Sequence, residues 1–193
     1  MNNNVVLVVC GGLHPASYSG QILTILAQDH HLGQLRVLVF SPPPPPIAVL
    51  SAHALRRWLE TALAPTQAAT GTYPKLIFWA FSAGCVGATA LVEYWRRYRG
   101  QVLALFLVDG WGVPGITGVP IHRLSHDRFT HATSAWLGAE NLSFYAHPAV
   151  PHLQLWQQPQ LARGWAIGPS GSKISRSNLS AAEFLTAQSR LYL

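Results

Sequence analysis

Acidic side chains are scarce in this chain: seven Asp and Glu stand against thirteen Lys and Arg among 193 residues, a formal net charge of +6. The imbalance comes as much from missing acids as from any basic patch. Arg56 and Arg57 fall on one predicted helix, and Arg96, Arg97 and Arg99 close another, where cations complement the helix dipole. No basic run is interleaved with aromatics, so nucleic acid is not an expected partner. Cysteine is nearly absent. Cys10 and Cys85 sit in apolar contexts without metal spacing, which excludes a disulfide framework and reads as reduced thiols in a cytoplasmic protein. Long hydrophobic runs are missing too: the cleanest, VLALFLV at 102–108, is strand-sized, far short of the roughly 18 residues of a membrane span. The opening MNNNVV lacks the basic segment of an export signal.

What is present is apolar material, 49% of residues against 10% charged, enough for one domain over residues 1–193. Four runs, VVLVVC (5–10), LRVLVF (35–40), KLIFWAF (75–81) and VLALFLVD (102–109), are continuous rather than alternating. That is the pattern of strands covered on both faces. Helical periodicity lies between them. Ser19 precedes a short helix with Ile22, Leu23 and Leu26; residues 48–63 carry Leu55, Leu59, Ala62 and Leu63; residues 83–98 carry Val86, Ala90, Leu91 and Tyr94. Right-handed crossovers between such units predict an α/β fold: a three-layer, doubly wound, mostly parallel sheet in strand order 2-1-3-4. PIHRL (120–124) is the one candidate for a further strand. SPPPPPIA (41–48) predicts a stiff surface connector. Residues 127–172 predict an irregular, cap-like region, and Ser180 with Glu183 predicts a capping box opening a helix over 181–191, with Phe184, Leu185 and Leu191 on its docked stripe.

The stretch FWAFSAG places Ser82 where a buried strand turns into a helix. Two readings compete. A serine there is an ordinary helix N-cap; it is also a hydroxyl exposed at the carboxyl edge of a parallel sheet, where ligands of open α/β folds bind. AFSAG differs from G-x-S-x-G by one methyl group, at Ala80, and keeps Gly84. A nucleophile needs a base, and the base an orienting acid. Only Asp29, Asp109 and Asp127 are available, and Asp109 ends the strand after the serine's helix; its alternative is the turn of Asp-Gly-Trp-Gly. His126, after PIHRL, is the first candidate base, giving the chain order Ser82, Asp109, His126. His152 in AVPHLQLW and His131 on the following helical segment are the alternatives, and His14 is read as shaping the mouth of the site. Backbone N–H groups of Ala83 and of Gly12 or Leu13 would hold an oxyanion.

These residues resemble the α/β-hydrolase superfamily over roughly residues 5–130, with CGGLHP as the oxyanion loop and AFSAG as the nucleophile elbow. The stretches DGWGVP…PIHRLSHDRFTH and FYAHPAVPHLQLW also resemble a compact cyanobacterial and chloroplast branch of it. The resemblance implies an esterase or thioesterase. In two respects the chain departs from the superfamily: it starts at what would be the third strand, and its acid follows the strand directly after the nucleophile.

Other chemistries find less support. His122, His126, Asp127 and His131 are spaced H-x₃-H-D-x₃-H, but no H-E-x-x-H or Cys/His motif occurs, so no metal is expected. Phosphate and dinucleotide loops are missing, so no cofactor is expected. Two functions stand: a serine hydrolase acting on a small acyl substrate, with Trp111, Trp136, Trp156 and Trp165 forming an apolar mouth, or an inactive protein of the same fold binding an apolar ligand or protein partner.

Overall fold

The computed structural model describes residues 4–42, 46–116, 118–138, 141–169 and 178–193. The four apolar runs form β1 (Val5–Cys10), β2 (Arg36–Phe40), β3 (Lys75–Phe81) and β4 (Val102–Val108). They belong to one sheet in the order β2-β1-β3-β4-β5-β6-β7-β8. The sheet is parallel from β2 to β6, and its last two pairings are antiparallel.

The sheet extends further than the sequence pattern predicts. PIHRL becomes β5 (Ile121–Ser125), and three more strands follow: β6 (Ser143–Ala146), β7 (Arg163–Ile167) and β8 (Leu179–Ser180). Instead of an irregular cap, the described part of 127–172 supplies two strands and the helices α4 (Arg128–Ala135) and α5 (Gln154–Gln157). Strands of two to five residues, mixed with Ser, Arg and Gly, have too few apolar positions to register as runs. Residues 43–45 of the proline run and 170–172 of the expected cap lie outside the described residues.

Alternate residues of each strand feed opposite cores. Leu7, Val9, Ile77, Trp79 and Phe81 pack with α1 (Gly20–Gln28), α5 and α6 (Ala181–Arg190) through Ile22, Leu26, Trp156, Phe184 and Leu185. Val6, Val8, Leu76 and Phe78 pack against α2 (Ala52–Thr70) and α3 (Gly84–Tyr98) through Leu55, Leu59, Leu63, Cys85, Ala88, Leu91, Val92 and Trp95. Helices therefore cover both faces. Ser180 and Glu183 form the reciprocal capping box at the start of α6.

Several helix faces differ from expectation by one position. In α3 the inward residues are Cys85, Ala88, Leu91, Val92 and Trp95, whereas Val86 and Ala90 face outward. Gly84 sets this phase: a Cβ there would collide with the carbonyl oxygens of Gly11 and Cys10, so the first turn of α3 lies directly on the end of β1. Leu23 and Leu191 are likewise exposed. Ser19 occupies the N-cap position of α1 without capping it; its hydroxyl accepts from Trp156 Nε1 at 3.4 Å.

His122 is buried inside β5, with Nδ1 donating to Leu142 O and Nε2 accepting from Tyr192 Oη, both at 2.8 Å. Burial holds this imidazole neutral, with its pKa below the ordinary 6.5; His131, buried near Arg123, is shifted the same way. The unfolded chain therefore takes up protons before the folded one does. Stability should hold above pH 6.5 and decline as the pH falls below it. Urea midpoints measured across that range should show the slope, and His122→Asn should flatten it.

Candidate active site

The site is built where successive parallel strands end. Ser82 follows β3, Asp109 follows β4 and His126 follows β5, each one residue beyond its strand. Backbone bonds lock the row: Ser82 N donates to Val108 O at 2.9 Å, and Asp109 N to Leu124 O at 2.8 Å. Farther along, Val150 N donates to His126 O at 3.0 Å, which ties the loop after β6 to the same edge.

Ser82 and Asp109 are the two non-glycine residues with positive φ among the described residues, at 52° and 51°. An L-residue enters that region at a cost of about 1–2 kcal/mol. Both strained turns lie at the site, and both aim a short polar side chain off the end of the sheet. Ser82 does not act as the helix cap: Ala83 occupies the N-cap position of α3, with no side-chain capping bond.

The imidazole on the serine is that of His152. Its Nε2 accepts from Ser82 Oγ at 3.1 Å, and its Nδ1 donates to Asp109 Oδ2 at 2.8 Å. His126, the first candidate from chain order, stands elsewhere. Its Nδ1 donates to Asp109 Oδ2 at 3.0 Å, its backbone N–H donates to Asp109 Oδ1 at 2.9 Å, and its Nε2 lies 3.5 Å from Asp127 Oδ2. The reason is the strand order. With β4 between β3 and β5, Asp109 separates His126 from Ser82, and two strand spacings put them roughly 10 Å apart. The imidazole that reaches Ser82 instead comes over the edge from the loop after β6. His131, the other alternative, stacks at 5.4 Å on Tyr145, away from the serine.

The His152 ring is oriented by packing as well as hydrogen bonds. It stacks on Phe81 at 4.8 Å, and Phe81 in turn packs nearly parallel to Trp156 at 5.1 Å and tilted against His14 at 5.6 Å. His14 sits 6.2 Å from His152, edge-on, and lines a separate pocket of about 50 Å³ with Gly11, Gly12 and Tyr18. Burial, and secondarily His152, hold His14 below its ordinary pKa. Asp109 forms the floor, its side chain 1% exposed, while His152 and His126 are 39% and 27% exposed. Beneath it the Cys85 thiol donates to Ala80 O at 3.3 Å, and burial pushes its pKa up, with Asp109 adding to the shift.

Of the expected oxyanion loop, Gly12 lies against the serine, while the Leu13 side chain is exposed. A Cβ on Gly12 would stand 3.0 Å from Ser82 Cβ and 3.2 Å from Phe81 O. A cleft of about 470 Å³ opens over Ser82, Ala83, Asp109, His126 and His152, walled by Val86, Trp111, Val113 and Phe129. Of the four tryptophans expected at the mouth, only Trp111 lines this cleft; Trp156 is buried beneath Phe81. The H-x₃-H-D-x₃-H spacing gathers no ligand set either, because His122 is engaged inside β5 and His131 against Tyr145. Asp109, His126 and His152 do come together, with potential ligand atoms within 4.8 Å of one another. Sequence spacing hides it, since the three residues span 44 positions.

The strain at Ser82 has a measurable consequence. Ser82→Gly and Ser82→Ala both remove the hydroxyl, but only glycine accepts φ 52° freely. Ser82→Gly should be the more stable of the two by about 1 kcal/mol in urea unfolding.

No family model matches this chain, and no curated protein matches it. Among solved structures, the chain is similar to a Xanthomonas campestris pv. campestris protein provisionally described as a hydrolase of the alpha/beta superfamily, with 21% identity, 69% of this chain and 79% of that one covered, and a TM-score of 0.42. The resemblance to a cyanobacterial and chloroplast branch finds no support in these comparisons.

Proposed function

We propose that this chain is a serine hydrolase of carboxylic esters or thioesters, with Ser82 as nucleophile, His152 as general base and Asp109 as the acid that orients it. The carrying observation is the single imidazole bridging Ser82 Oγ and the buried Asp109 carboxylate. Asp109 accepts from Nδ1 and so leaves Nε2 as the acceptor facing the hydroxyl. As Ser82 Oγ attacks the acyl carbon, Nε2 takes its proton; the resulting imidazolium is stabilised by the carboxylate, then protonates the leaving alkoxide or thiolate. Water repeats the sequence on the acyl-enzyme. The N–H groups of Ala83 and of Gly12 or Leu13 are the donors assigned to the oxyanion, a contribution of order 10²–10³ in rate per donor. The apolar walls at Val86, Val113 and Phe129 suit an apolar acyl or aromatic group.

His126 is a positioning residue in this scheme, since it bonds both carboxylate oxygens of Asp109 without reaching the serine.

A fluorophosphonate probe tests the nucleophile. Wild type should be labelled, and Ser82→Ala should not; an unlabelled wild type would favour the inactive, ligand-binding reading. In p-nitrophenyl ester turnover, His152→Ala should lower kcat by roughly 10⁴-fold or more. Full activity in that variant would refute the assignment of the base. His126→Leu, which removes one donor from a buried carboxylate, should lose about tenfold in kcat with KM little changed. His126→Asn restores an N–H near the Nδ1 position and should recover part of the loss.

A further inference from the structure

A triad needs one imidazole on its carboxylate, and here there are two. His152 Nδ1 and His126 Nδ1 approach the same oxygen, Asp109 Oδ2, at 2.8 and 3.0 Å. Asp109 is buried beneath, while both rings are partly exposed above it and border the open cleft. Two imidazole nitrogens and one carboxylate oxygen thus offer three ligand atoms, all within 4.8 Å of one another and bordering the open cleft. Around Zn²⁺, with metal–ligand bonds of about 2.0–2.2 Å, tetrahedral ligands stand roughly 3.3 Å apart. The separations from Oδ2 are slightly shorter and the whole set lies within 4.8 Å, so ring movements of about 1 Å would admit the ion.

We propose that Asp109, His126 and His152 form a Zn²⁺ site, and that the ion switches off the base at Ser82. The inhibitory part rests on the hydrolase reading; the binding part does not. The chemistry of inhibition follows from the imidazole itself. In the metal-free triad His152 carries its proton on Nδ1 and accepts with Nε2. Zinc on Nδ1 needs that lone pair, so the proton moves to Nε2 and the ring stays neutral. Nε2 then donates where it must accept, and the Ser82 proton has nowhere to go. His126 makes the site possible, because an Asp–His pair alone offers only two ligands. Borderline metals that favour imidazole should bind, whereas Mg²⁺, which prefers an all-oxygen shell, should not.

Binding is read by competition for Zn²⁺ against a chromophoric chelator at neutral pH, with no activity required. Wild type and Ser82→Ala should each bind one equivalent. His126→Asn keeps a donor to Asp109 but loses the ligand, and should bind at least about tenfold more weakly; His126→Leu should behave alike. Zinc should slow fluorophosphonate labelling of wild type, chelator should reverse it, Mg²⁺ should have no effect, and His126→Asn should resist it relative to its own zinc-free rate. Absence of stoichiometric binding, or equal binding by wild type and both His126 variants, overturns the site. Binding that depends on His126 but leaves labelling unchanged overturns the switch. A wild type that binds zinc yet is never labelled removes the hydrolase reading, and the inhibitory role with it, while the metal site stands.

Discussion

The hydrogen-bond ladder of the parallel strands does not stop where the strands do, and the candidate chemistry depends on that. Ser82 N reaches back to Val108 O, and Asp109 N to Leu124 O, so each strand end is held by its neighbour one residue past regular pairing. Those bonds hold two left-handed turns that would otherwise relax, and the turns present a hydroxyl and a carboxylate side by side. A site assembled from strand ends inherits the rigidity of the sheet.

Glycine and alanine around the serine show how close the layers must come. Gly84 has no room for a methyl group because α3 rests on the carbonyls at the end of β1. Ala80, where the G-x-S-x-G pattern has glycine, directs its methyl into the core shared with α2 and α3 and is fully buried there. The departure at Ala80 is accommodated by ordinary packing.

Much of this is legible in the sequence. Continuous apolar runs place β1 to β4, and a serine at the end of such a run followed by Ala-Gly marks the elbow. The shortage of aspartate singles out Asp109, the carboxylate that meets His152 and His126. The histidine was harder. Chain order favours His126, but the sheet interposes Asp109, and a base arriving from a non-adjacent loop leaves no local periodicity to detect. Stacking on Phe81 is a tertiary fact without a sequence signature. The last three strands escaped for a similar reason: SFYA and RGWAI are too short and too polar to declare themselves, and they gain their place from edges already formed by β5 and β6.

The stack of Trp156, Phe81 and His152 joins the interior of the protein to the imidazole on Ser82. Phe81 is simultaneously the last residue of a central strand, a core side chain and the surface on which the imidazole lies. Looseness in that core is therefore transmitted upward: a repacking event below the cleft would tilt the histidine and lengthen its hydrogen bonds to Ser82 and Asp109. Phe81 and Trp156 thus do more than fill a core: their packing fixes the angle at which the imidazole meets Ser82 and Asp109.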